Sequence, residues 1–443
     1  MRARIVLLVL TVAAGTSLPT AQPAAGRGVS TGSFAFAFDE RGVSQLRNPR
    51  DPFDATLTAR TGRGAGAGAP VLGLTLNYKT AGAAAWTSLS TRGTLQAAAD
   101  GRGVTYATNA APLLVNETYA TDGTTLDWTI ELGARGQAVH VGDVGISIPV
   151  QGTNGATPAD IFERGFLKHQ FVSGAGSFFF YTRASGAPPF LLVTMKPGTK
   201  LEYQAGAQVF VHSEKAGGEE TRGTWRQPHT GLDLKPGATV TYGFRMQWAA
   251  SYDEMRQMLY DAGLFDVRVV PGMTVPSDLT ARFSLHTKAR VQAVTAEFPA
   301  DTTITTASSP RADTRVYSVQ FRRLGENMLT ITHDDGRKTF LEFFSTEPME
   351  TLIKKRSAFL VNRQQIRDAS KWWNGVYAIY DMKARKVRTI DDPDIFLDRM
   401  VYALTCDDPG LSKAPFLASK NVTFPDRKEI ESLEYYIKNF VWG

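Results

Sequence analysis

The sequence predicts a multidomain, mainly β protein: a large antiparallel β-sandwich, a linker helix, a small immunoglobulin-like β domain, and then the opening of a helical domain. Three observations carry this expectation. Short runs rich in Val, Thr, Phe and Tyr recur up to about residue 250 with Pro-Gly turn signals between them. The apolar period then switches from two to 3.6 over 251–265 and again after Pro348. A length of 443 residues accommodates two or three domains, and a composition that is 43% hydrophobic and 21% charged is that of an ordinary globular chain.

Residues 1–25 have the layout of a secretory signal peptide. Arg2 and Arg4 precede an apolar run from Ile5 to Ala14, followed by small residues and prolines. The run is too short to span a bilayer unaided. The mature protein is therefore expected to be secreted or periplasmic, without stable membrane insertion after signal cleavage; a retained N-terminal anchor is the alternative. Cys406 is the only cysteine, which excludes an intramolecular disulfide. Next to Asp407 and Asp408 its thiol is poorly placed for activation, and it reads as core packing. The net charge of +6 comes with basic clusters at Lys354-Lys355-Arg356 and Lys383 to Arg388, but no nucleic-acid motif accompanies them and no such partner is expected.

The sandwich is placed at 28–250. Phe34, Phe36 and Phe38 alternate with small residues in a period-two strand that turns at Asp39 to Gly42, with Val43 to Leu46 as the returning partner. The glycine-rich stretch Arg60 to Pro70 leads into a strand at Val71 to Tyr78 and not a helix, so a phosphate cradle lacks its mechanism there. Further strand-like runs include Leu113 to Thr118, Leu126 to Leu132, Gly145 to Val150, Ser177 to Thr182, Phe190 to Met195, Gln208 to His212 and Thr239 to Trp248. No helix of useful length is expected among them. Glu163, Arg164, Lys168 and His169 read as a charged loop before a strand.

The linker helix, 251–265, places Met255, Met258, Leu259 and Leu264 on one face, with Asp253 and Glu254 in its first turn. The small β domain, 266–346, has its clearest hairpin between Met328 to Thr332 and Thr339 to Phe344, around Asp335-Gly336. In 347–443, Pro348 opens a helix carrying Met349, Leu352, Ile353, Phe359, Leu360 and Ile366, broken near Trp372 to Gly375. Val376 to Thr389 reads as a hairpin or extended loop. Asp394 then caps a helix with Phe396, Leu397, Met400, Val401 and Leu404. Asp426 and Glu429 form a capping-box-like start to a last helix whose stripe is Ile430, Leu433, Ile437, Phe440 and Val441.

Chemistry is sparsely signalled. There is no His-Glu-x-x-His helix, paired-cysteine site, Walker loop or nucleophile elbow, so a metalloprotease or serine hydrolase is disfavoured and no metal or cofactor is expected. Asp407 and Asp408 are the candidate catalytic carboxyls: just past a helix C-terminus they face the negative end of its dipole, which raises a carboxyl pKa towards that of a general acid. The competing reading makes them a turn paired with Lys413 or Lys420. Candidate substrate-binding residues are Trp372, Trp373 and Trp442, whose flat faces suit sugar rings, with Lys413, Lys420 and Asn421 near the Asp pair. Aromatics at helix ends more often pack in a core.

The run Asp407-Asp408-Pro409-Gly410-Leu411-Ser412-Lys413-Ala414-Pro415-Phe416-Leu417-Ala418-Ser419-Lys420-Asn421-Val422, with Pro425-Asp426, Glu429-Ile430, Tyr435-Tyr436 and Phe440 to Gly443, resembles an exported microbial family known only as a domain of unknown function. Leu324 to Asn327 and Thr339 to Phe344 fit it as well. Members resemble six-hairpin glycosidases, in which a β-sandwich precedes an α/α toroid. The resemblance implies that 347–443 begins such a toroid, that this chain is the N-terminal half of a longer protein, and that the activity is glycoside hydrolase-like. Glycosidic cleavage needs two carboxyl groups; Asp407 or Asp408 supplies one, and the second is expected beyond Gly443, so residues 1–443 alone are not expected to turn over a glycan. Two functions stay open: part of an exported carbohydrate-active enzyme taking a poly- or oligosaccharide, or a non-catalytic glycan-binding or scaffold protein.

Overall fold

The computed structural model describes residues 27–58, 72–89, 92–147, 157–206, 208–219, 225–309, 311–382, 384–389, 391–392 and 412–442. The signal segment, the glycine-rich stretch, the helix expected from Asp394 to Leu404, Cys406 and the pair Asp407-Asp408 lie outside the described residues. The chain is multidomain and mainly β, with few helices. It divides into two compact units. The first takes the chain up to Asp266 together with His286–Ala293 and Ile331–Phe340; the second takes Val267–Leu285, Val294–Thr330 and Leu341–Gly443.

In the first unit, alternation in the sequence becomes alternation of burial. Phe34, Phe36 and Phe38 are buried, and Phe34–Asp39 pairs antiparallel with Gly42–Arg47 as expected, within a four-stranded sheet. An eight-stranded sheet runs in the order Phe166–Phe171, Phe178–Arg183, Phe190–Met195, Thr239–Ala249, Thr125–Ala134, Leu113–Thr121, Gly103–Ala110, Thr94–Ala97. A six-stranded sheet is centred on Val139–Ser147, which pairs with Gly73–Thr80, Gln208–Ser213 and Leu232–Leu234. One apolar core takes side chains from all three sheets, among them Phe36, Leu46, Trp128, Ile130, Val144 and Phe244. The Pro-Gly signals fold as read: Thr199 N donates to Lys196 O and Ala238 N to Lys235 O, with Gly198 and Gly237 at positive φ.

The same alternation puts Glu117 on the inward face of Leu113–Thr121. A buried carboxylate needs a partner, and Arg92 supplies one. Its Nε and Nη2 donate to the two Glu117 oxygens at 2.9 and 2.8 Å, and Nη1 and Nη2 also donate to the carbonyls of Arg41 and Leu72. Burial opposes the Arg92 charge, but the neighbouring Tyr119 and Glu117 outweigh it and raise its pKa.

Two helices interrupt the strands where none was expected. Pro158–Arg164 (α1) closes a capping box between Thr157 and Asp160 with Pro158 at its first position. Glu163 and Arg164 are therefore helical, and Lys168 and His169 lie in the strand Phe166–Phe171 and not in a loop. Glu214–Gly218 (α2) is a single short helix. Tyr252–Asp261 (α3) is the expected linker helix: Ser251 caps it by accepting from Glu254 N at 3.1 Å, and Met255 and Leu259 pack with Phe190, Leu192, Ala249 and Leu264.

The small β segment forms two four-stranded sheets. One runs Asp266–Val270, Ala281–His286, Thr314–Phe321, Thr302–Ala307, and the other Thr274–Pro276, Arg337–Thr346, Gly325–His333, Val291–Ala296. The hairpin turns at 334–336, around the expected Asp335-Gly336: Gly336 has positive φ, the other positive-φ residue is Asp334 and not Asp335, and Asp334 is held by accepting from Arg290 N.

In the second unit Met349–Phe359 (α4) continues as a π-helical turn to Gln364 and stops. Ile366, expected on that helix, is instead in an extended strap, donating its N–H to Val376 O. Ile379–Asp381 and Lys386–Arg388 form the expected hairpin. Lys413–Thr423 (α5) and Arg427–Tyr436 (α6) follow, the latter extended by a π-helical turn through Val441. Asp426 caps α6 by accepting from Glu429 N, but the reciprocal bond is absent because Glu429 turns to Lys420. The face that packs is accordingly Glu429, Ser432, Leu433, Tyr436 and Phe440, while Ile430, Ile437 and Val441 are exposed. Among the described residues no helix is long and apolar enough to cross a membrane.

Candidate functional site

The strap between α4 and α5 decides where the tryptophans stand. Gln365 Nε2 donates to Ser432 O, Ser432 Oγ donates back to Gln365 Oε1, and Tyr435 OH donates to Asn374 Oδ1, so the strap is pinned to α6. Gly375, at φ +94°, lets the backbone pass α6 where a Cβ would lie 3.3 Å from Tyr435 O. Trp373 is thereby buried, at 7% exposure, with its ring edge-on to Trp372 at 5.3 Å. Trp372 stays 67% exposed, its ring nearly parallel to Phe440 at 6.5 Å, and Trp442, two residues beyond Phe440, is 79% exposed. The structure thus brings Trp372 and Trp373 together as one buried and one open ring.

Lys420 and Asn421 sit elsewhere and face inward. Lys420 Nζ meets Glu429 Oε2 at 2.9 Å with both side chains over nine-tenths buried, and Asn421 donates to Glu429 Oε2 while accepting from Asp426 N. Their observed contacts clamp α5 to α6. Lys413 is the half-buried first residue of α5.

Sequence reading missed a second region, in the first unit. The loop 173–177 and the hairpin 334–340 are joined by backbone geometry: Ala175 N donates to Lys338 O, Phe340 N donates to Ser173 Oγ, and Ser173 Oγ donates to Phe340 O. Gly174 makes the approach possible, since at its φ of +61° a Cβ would fall 2.6 Å from Lys338 O. The cleft beside this junction holds about 300 Å³, with Lys200, Arg337, Lys338, Phe340 and Glu202 on its walls. Glu202 is 3% exposed and its carboxylate is spoken for, accepting from Ser213 Oγ, Thr230 N and Thr230 Oγ1 at 2.7–2.8 Å.

Behind Glu202 lies a polar network built from strands far apart in sequence. Ser213 Oγ bonds His229 Nδ1 at 2.9 Å, Thr230 Oγ1 bonds His212 Nδ1 at 2.8 Å, and His212 Nε2 bonds the Tyr242 hydroxyl at 2.6 Å. Burial, then the nearby Lys200 charge, lowers His212 to about 4; burial, then Glu202, raises Tyr242 to about 12. The pair is therefore neutral over the whole working range. With His212 9% and Tyr242 4% exposed, the pair is buried behind Glu202.

His140 is placed differently. Its Nε2 meets Glu214 and its Nδ1 meets Asp233, each at 2.7 Å, and Trp86 lies against the ring with Lys79 over the indole. Burial works against its charge, but the hydrogen bonds to Asp233 and Glu214 outweigh it and raise the pKa. Because the folded value lies above the unfolded one of about 6.5, this contribution to stability is fully present below that value and is lost as pH rises through the folded pKa. Urea midpoints should accordingly fall more between about pH 6 and 8 in the wild type than in His140→Asn; equal slopes would remove His140 from the account. Among the described residues no group of His, Cys, Asp and Glu is placed to hold a metal.

A solved structure described as a polysaccharide lyase matches with a TM-score of 0.68 at 15% identity, covering 92% of this chain. This chain spans 59% of that one. A galactose mutarotase related enzyme from Lactobacillus acidophilus matches at TM-score 0.30 and 9% identity over 51% of this chain and 98% of its own. A GH36 α-galactosidase from Geobacillus stearothermophilus matches at 0.28 and 9%, over 53% and 42%. These two scores are too low to bear on the argument. No curated protein matches the sequence. Residues 41–443, nearly the whole chain, match the family of unknown function DUF5695, and the chain belongs to that family.

Proposed function

We propose that this chain forms part of an exported carbohydrate-active protein that acts on a poly- or oligosaccharide, in the manner of a glycoside hydrolase built on a sandwich followed by an α/α toroid. The observation that carries the reading is the fold shared, over 92% of this chain, with a protein described as a polysaccharide lyase. Fold alone does not fix chemistry, so the residues carry the rest. The open rings of Trp372 and Trp442 are the proposed stacking faces, with Trp373 supporting Trp372 edge-on and Lys413 beside them in role. Lys420 and Asn421 contribute by holding α5 and α6 together. Asp407 and Asp408 are the proposed source of one catalytic carboxyl. Export rests on the Arg2 to Ala14 layout.

The neighbour's description favours a second reading, β-elimination. Hydrolysis and elimination both release a reducing end, but only elimination leaves a conjugated double bond with its ultraviolet absorbance. Incubation of the purified chain with a polysaccharide panel, with both signals followed, separates the two wherever cleavage occurs, although residues 1–443 alone are expected to bind without cleaving. Retention of a glycan without cleavage fits a chain that supplies the binding wall only; neither retention nor cleavage of any glycan contradicts the proposal. Trp372→Ala and Trp442→Ala should each weaken glycan binding by about 0.5–1.5 kcal/mol, the scale of one aromatic contact, and leave the unfolding midpoint unchanged.

A further inference from the structure

We propose that the cleft beside the 173–177 loop and the 334–340 hairpin binds an anionic saccharide through Lys200, Lys338 and Arg337. This rests on the carbohydrate reading above and names its substrate class. The cleft, about 300 Å³, is large enough for one sugar unit, and three of its wall residues are cations against one carboxylate. That carboxylate, Glu202, is buried and accepts from Ser213 and Thr230, and its single charge does not balance the cations of the wall. Lys200 and Lys338 are exposed and, among the described residues, neither has an acidic partner, whereas Arg337 is paired with Asp334. Two lysines without acidic partners line one cavity, and their like charges favour an anion bound there.

The placement is built and not a matter of flexible side chains alone. Lys338 O accepts from Ala175 N and the next residue but one, Phe340, is bonded through both its N–H and its carbonyl to Ser173. Lys338 is thus fixed at its backbone against the loop that forms the cleft floor. Phe340 adds an apolar wall, which suits the face of a sugar ring while the lysines meet its carboxylate or sulfate.

The test is calorimetric binding of oligosaccharides of galacturonate, mannuronate and chondroitin sulfate, each compared with an uncharged form, methyl-esterified at its carboxyls and, for chondroitin sulfate, desulfated as well, using the full chain. At least one acidic oligosaccharide should bind more tightly than its neutral form and weaken as salt is raised from about 0.05 to 0.5 M. The double variant Lys200→Ala/Lys338→Ala should lose about tenfold or more in that affinity, and Lys200→Arg/Lys338→Arg should retain it. Both positions are exposed, so unchanged circular dichroism is expected of each variant. Equal binding of acidic and neutral forms, unaffected by the lysine variants, overturns this inference and leaves the carbohydrate reading standing. No binding of any glycan overturns both.

Discussion

Glu117→Ala should destabilise the first unit by about 3–5 kcal/mol, because it leaves the Arg92 guanidinium buried without its counter-charge. The Arg92 and Glu117 side chains are only 9% and 3% exposed, in bidentate contact, and the Tyr119 hydroxyl also donates to Glu117. The loss should appear as a lower urea midpoint without a change of slope. The companion expectation is sharper. Arg92→Met/Glu117→Leu, which removes both charges and fills the space, should cost less than Glu117→Ala alone, since the pair's attraction is largely offset by the desolvation of its two ions. A double variant as unstable as the sum of its single changes would show that the pair itself, and not the orphaned charge, carries the stability.

Lys420→Met should have an effect of the same size, about 3–5 kcal/mol, confined to the helical segment. It leaves Glu429 with only the Asn421 amide at a site where both members of the ion pair are more than nine-tenths buried. Asn421 in turn holds Asp426, the cap of α6, so the disturbance reaches the helix start. Amide hydrogen exchange should accelerate across α5 and α6 while the strands around Trp128 stay protected. Unchanged exchange together with weakened glycan binding would instead make Lys420 a ligand contact.

The strands were legible wherever one face is buried. Phe34, Phe36 and Phe38, or Leu126 to Leu132, announce an inward face by strict alternation, and the structure buries it. Met255, Leu259 and Leu264 marked the linker helix by their helical spacing, and the structure buries all three; the Ser251 hydroxyl that caps it by accepting from Glu254 N was not read. Where the reading failed, the deciding partner was distant or overlooked. The Thr157-Pro158-x-Asp160 box was a readable signal for α1 and was passed over among charged residues. Glu429 resembled half of a capping box until Lys420, nine positions earlier, claimed its carboxylate; no local pattern weighs those two partners.

The candidate site was less legible than the fold. Trp372 and Trp373 are adjacent in sequence, so their clustering was visible, but which ring is open depends on the strap's bonds to Ser432 and Tyr435, about sixty residues away. The cleft was invisible because Lys200, Glu202, Arg337 and Lys338 meet only through the docking of the hairpin on Ser173 and Ala175. The contacts of His212 with Tyr242 and of His229 with Ser213 were invisible for the same reason.

The measurement that bears most directly on the central claim is affinity electrophoresis of the purified chain through gels containing a panel of neutral and acidic polysaccharides. Retardation by at least one polysaccharide, reduced in Trp372→Ala or in Lys200→Ala/Lys338→Ala, is the predicted result. Mobility unchanged in every gel would contradict a carbohydrate role for this chain.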